Sequence, residues 1–98
     1  MEYRVTKLDK RHGGVRWFKY YITPVAKSWV HSDRWVAERA FIEWQSWCWA
    51  TYGQGTERDW HHHIKDTAYW AWKTHNVKEP RLYLRGDAEL MMFKLKFS

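Results

Sequence analysis

Asp59-Trp60-His61-His62-His63-Ile64-Lys65-Asp66 sets three imidazoles in a row between two carboxylates, a set of side chains able to ligate a metal or move protons. Spacing decides how many of them can act together. Consecutive residues of a helix point about 100° apart, so His61, His62 and His63 cannot converge on one ion. Positions related by i, i+3 and i+4 share a face, and Asp59, His62, His63 and Asp66 fit that relation. Two imidazoles and two carboxylates are a chemically acceptable zinc set. His62 and His63 nevertheless diverge, and structural zinc sites are normally closed by cysteines. The favoured reading is a solvated helix face whose Asp–His pairs contribute a few tenths of a kcal/mol each, roughly the worth of surface pairs at this spacing. A metal site at these four residues is the weaker alternative, and no cofactor is predicted. His12, His31 and His75 are too distant in sequence to place beside them.

No other arrangement supports catalysis. The chain has no phosphate-cradling glycine loop, no H-E-x-x-H and no nucleophile elbow. Its one cysteine, Cys48, excludes an internal disulfide framework and falls on the apolar stripe of a helix, where a thiol behaves as a small hydrophobe. The expectation is a protein that is not an enzyme.

The elements that position these residues follow from periodicity and punctuation. The 98 residues suffice for one domain, spanning 1–98, and the 45% hydrophobic and 29% charged content is that of a globular chain. "EYRVTKL" and "VRWFKYYIT" read as a β-hairpin across "DKRHGG". Ser32 or Asp33 caps a long helix ended by Gly53 and Gly55, with Ala37, Ala40, Phe41, Trp44, Trp47, Cys48 and Thr51 on one stripe. Thr56 caps a second helix from about 57 to 75, with Trp60, Ile64, Ala68 and Ala71 inward. "RLYLR" is a strand. Asp87 caps a helical turn through "AELMM", and "FKLKF" alternates as a last strand, unless Arg85-Gly86-Asp87 turns a plain hairpin. The order β-β-α-α-β-(short α)-β predicts an α+β fold: a four-stranded antiparallel sheet with two main helices packed on one face. No apolar run approaches the roughly 20 residues of a membrane helix, and the N-terminus lacks a signal core, so no membrane partner and a cytoplasmic location are expected.

The formal charge of +6 is unevenly placed. Residues 1–31 carry seven basic against two acidic groups, residues 32–79 six against seven, and residues 80–98 four against two. The excess belongs to the strands. Alternation that turns Phe18, Tyr20, Ile22, Leu82, Leu84, Phe93, Leu95 and Phe97 inward turns Trp17, Lys19, Tyr21, Arg81, Tyr83, Arg85, Lys94 and Lys96 outward. Tyr3 and Val5 inward place Arg4 and Thr6 outward. Rings among cations are what a single-stranded nucleic-acid platform requires, stacking bases at about 1–3 kcal/mol each while neutralising phosphates. An ordinary solvated sheet face has the same composition.

The first helix carries a second signal. Trp35, Ile42 and Trp49 recur every seven residues, opposite the main stripe, among Glu38, Arg39, Gln45 and Ser46. Large apolar side chains in a polar rim characterise protein interfaces. The "WCWATYG" helix end, a following strand, an acidic cap and the closing "LMMFKLKF" resemble small uncharacterised accessory proteins of tailed bacteriophages over about half the chain. That resemblance carries no activity; it implies a viral protein acting in a bacterial host. The sequence thus predicts a binding module that engages or inhibits a host protein, or itself, through Trp35, Ile42, Trp49, Glu38, Arg39 and Gln45. Single-stranded nucleic-acid binding on the sheet is the alternative.

Overall fold

A computed structural model describes residues 3–8, 18–25, 31–53, 69–74 and 79–97. Four strands, β1 (Tyr3–Lys7), β2 (Tyr20–Pro24), β3 (Trp70–Lys73) and β4 (Arg81–Leu84), form an antiparallel sheet in the order β1-β2-β4-β3. Two helices, α1 (His31–Tyr52) and α2 (Asp87–Phe97), cover one face of it. The predicted α+β class, the four-stranded antiparallel sheet and its two helices on one face are all present.

Strand alternation builds the two sides of the sheet. Val5 pairs with Ile22, Ile22 with Leu82, and Leu82 with Trp72, so one face presents a row of apolar groups to the helices. Tyr3 and Val5 pack inward as expected, and Arg4 is exposed. Helix α1 lays Phe41, Trp44 and Cys48 on that face, with Ala40 and Trp47 half-buried at its margin. Ala37 is buried too, whereas Thr51, predicted on this stripe, is exposed. Gly53 ends the helix with φ 83°, its N–H donating to the Trp49 carbonyl, the left-handed C-terminal cap that glycine adopts without strain. The Trp70 indole N–H then donates to the Gly53 carbonyl at 2.9 Å, tying the helix end to β3.

Two assignments differ from the sequence reading. Trp70–Lys73, expected inside a second helix, is a strand, because Trp-Ala-Trp alternates with period two: Trp70 and Trp72 stack on the helix side, and Ala71 lies against Tyr83 on the other. Tyr69 and Thr74, which flank the strand, are not helical, and residues 57–68 and 75 of that predicted helix lie outside the described residues, as does the "DKRHGG" turn. Phe93–Phe97, expected as a strand, continues the helix begun at Asp87, so "FKLKF" faces the core through Phe93 and Phe97 while Leu95 points away. Phe93 and Phe97 share a face in either conformation. Leu90 decides the matter, since three residues before Phe93 is the same face only in a helix.

The second sheet face is not open at its centre. Leu8, Phe18, Ala71 and Tyr83 form a smaller buried cluster there, with Tyr21 packed on it. Phe18, predicted on the helix side, belongs to this cluster because the chain bends at Lys19 before β2 begins. Its ring lies 5.9 Å from that of Tyr83.

Candidate protein-binding face

Helix α1 is apolar on two sides, and the sheet can cover only one. Trp44 is enclosed by Tyr3, Phe41, Phe93 and Phe97, with ring centroids 5.2–6.3 Å away. On the outer side Trp35, Ile42 and Trp49 are 54%, 60% and 54% exposed. Seven-residue spacing over two intervals carries this stripe about 21 Å along the helix at the usual 1.5 Å rise. Val36 is also exposed and, with Trp35, Arg39, Ala40, Ile42 and Glu43, lines a shallow open depression. The Arg39 guanidinium lies over the Trp35 ring at 5.0 Å, which orients the indole and puts a cation at the rim. Trp49 is not wholly detached from the fold: its ring meets Trp70 edge-on at 6.5 Å. Glu38 is exposed and Gln45 half-exposed along the same flank. Sequence reasoning therefore found Trp35, Ile42, Trp49 and Arg39 in one region but missed Val36, Ala40 and Glu43. Val36 and Glu43 stand one position after heptad residues, and Ala40 lies one turn from each of those two, a signal that a single-position repeat does not carry.

The nucleic-acid residues are not gathered on one surface. Tyr83 is 1% exposed, so it offers no ring to a base; it packs between Phe18, Tyr21 and Ala71. The reason is that the second sheet face carries its own apolar cluster. Arg81 lies over the Tyr21 ring at 4.6 Å, and Arg85 over that of Tyr69 at 5.9 Å. Lys19 donates to Asp87 at 2.9 Å. Lys94 and Lys96 are on α2, in the helical layer, because that segment is helix rather than strand. Trp17 lies outside the described residues.

Asp59, His62, His63 and Asp66 also lie outside the described residues; among those described, no three His, Cys, Asp or Glu side chains come together as a metal would require. Cys48 is fully buried, and burial pushes its thiol pKa up to about 12. It therefore stays protonated at neutral pH, the wrong state for a nucleophile or a metal ligand. Among the described residues no helix is long and apolar enough to cross a membrane. Comparison of the chain with family models, with curated proteins and with solved structures finds no match.

Proposed function

We propose that this chain is a non-catalytic binding module, in the manner of a phage accessory protein, that occupies a host protein through the outer face of α1. The observation that supports this reading most is the exposure of Trp35, Ile42 and Trp49 on a helix whose opposite side is already buried. Fully burying side chains of this size contributes roughly 1.5–3 kcal/mol each. The fold forgoes much of that at three positions in one line. A partner surface that covers the stripe recovers it, with the indoles as anchors and Arg39, Glu38, Gln45 and Glu43 as the polar rim. A buried, protonated Cys48 agrees with a role that involves no chemistry at this helix.

The test is capture of partners from nuclease-treated bacterial lysate by the wild-type chain and by Trp35→Ala/Ile42→Ala. The expected result is a protein retained by the former and lost by the latter, with both chains equally folded by circular dichroism. Retention that disappears with nuclease, or that is unchanged in the variant, removes the reading.

A further inference from the structure

Helix α2 has an unpartnered face of its own, distinct from that of α1. Leu90 and Phe93 are buried and Phe97 half-buried, yet Ala88, Met91, Met92 and Leu95 are exposed, Leu95 by 72%. At about 100° per residue these four fall within one sector, opposite the buried one. The charges that border the sector are ordered along the helix: Asp87 and Glu89 in the first turn, Lys94 and Lys96 in the last. By the same spacing Asp87 and Lys94 lie on one flank of the apolar strip, and Glu89 and Lys96 on the other.

We propose that this face recognises a second copy of the chain, two α2 helices packing antiparallel about a two-fold axis between Met91 and Met92. That register sets Met91 against Met92 of the second copy and the small Ala88 against Leu95. Antiparallel helices bring equal flanks together, so Glu89 faces Lys96 of the second copy on one side and Asp87 faces Lys94 on the other. Every contact occurs twice, as an isologous interface requires. A parallel pairing would set acid beside acid and lysine beside lysine. The pattern also discriminates against an anionic lipid surface, which attracts basic groups only; here two carboxylates offset the two lysines. The strip from Ala88 to Leu95 is about 10 Å long, well below the extent of a standard interface, so the pair forms at high concentration and exchanges readily.

Sedimentation equilibrium of the full chain, from micromolar to about millimolar concentration, tests the pairing. The wild type is expected to dimerise with concentration, and Leu95→Glu to remain monomeric with its circular dichroism unchanged. Glu89→Lys and Lys96→Glu, each alone, place like charges together twice and should weaken association by about tenfold. Mixed in equal amounts they should form a heterodimer as strong as the wild-type pair, because both contacts are then complementary. Asp87 is left intact in these variants, since it also holds Lys19 and Tyr20. A wild type that is monomeric throughout overturns the proposal, as does a mixture no stronger than its components. So does a dimer that survives Leu95→Glu but is lost in Trp35→Ala, which would place self-association on α1 instead. Binding of a monomeric wild type to phosphatidylserine vesicles, abolished by Leu95→Glu, would assign the face to lipid.

Discussion

Cys48 and Tyr52 stand one helical turn apart on α1 and illustrate two outcomes of burying a polar atom. The Cys48 thiol is enclosed by the main core, and desolvation favours its neutral form so strongly that its pKa reaches about 12. Its reaction with a thiol reagent at pH 8 should therefore follow unfolding, negligible in native protein and rapid in 6 M guanidinium, which ordinary absorbance kinetics will read. Fast modification of the native chain would show that α1 does not seal this position. Tyr52 packs its ring on Tyr69 and Trp47, but its hydroxyl is buried with no hydrogen-bond partner among the described residues. An unsatisfied buried hydroxyl costs about 1–3 kcal/mol, and removing the whole group removes that penalty. Tyr52→Phe is expected to be neutral or stabilising in urea unfolding, and a loss above about 1 kcal/mol would mean that the oxygen has a partner after all.

At the scale of elements, α2 shows how a segment can be legible in composition and misleading in period. Its start was readable: Asp87 precedes an apolar run, and its carboxylate accepts from the Tyr20 hydroxyl and the Lys19 ammonium, while the Leu90 N–H returns to the Gly86 carbonyl. Those two donors hold the Asp87 carboxyl below its usual range, the Tyr20 hydrogen bond foremost, and the same carboxylate raises the Lys19 and Tyr20 pKa values. A depressed carboxyl stabilises the fold above its unfolded pKa and ceases to do so as pH falls through its folded value. Raised Lys19 and Tyr20 stabilise below their unfolded values and lose that effect as pH rises through the folded ones. The tie between β2 and α2 should thus be intact from about pH 4 to 10 and weaken outside that window. In Asp87→Asn, thermal unfolding should lose part of its pH dependence at the acid limb; an unchanged acid limb would show that the tie contributes nothing. What sequence could not settle was the far end, because Phe93 and Phe97 satisfy both periods and Leu95 alone pointed to a strand. The reverse happened at Trp70–Lys73, where two tryptophans two residues apart fall inside a segment read as helix with Ala71, not the tryptophans, on its inward stripe. The α1 stripe was legible because Phe41, Trp44 and Cys48 recur with only one period available to them. Tyr83 was misplaced because alternation separates the two faces of a strand without telling whether the second is wet.

Across the whole molecule, the apolar groups divide into what the sheet and helices can cover and what they cannot. With nine tryptophans in 98 residues, a core this small excludes some of them, and among the described residues α1 places Trp35 and Trp49 along one outer line. Partition of function and stability between the two sides of that helix is the consequence. Trp44 is surrounded by four aromatic rings and is almost wholly buried, so Trp44→Ala should cost about 3–5 kcal/mol of fold stability, as aromatic deletions in closed cores do. Trp35 is more than half exposed and, among the described residues, carries Arg39 of its own helix over its ring, so Trp35→Ala should shift stability by less than about 0.5 kcal/mol. Trp49 lies between these limits: half-exposed, yet edge-on to Trp70, it should contribute about 0.5–1.5 kcal/mol through that pair. Urea midpoints of the three single variants order these contributions, and partner capture by the same proteins orders them in the opposite sense. Trp35→Ala should then be the variant that is most native in stability and most defective in binding. If it instead unfolds as readily as Trp44→Ala, the outer stripe belongs to the core and the docking role of α1 fails.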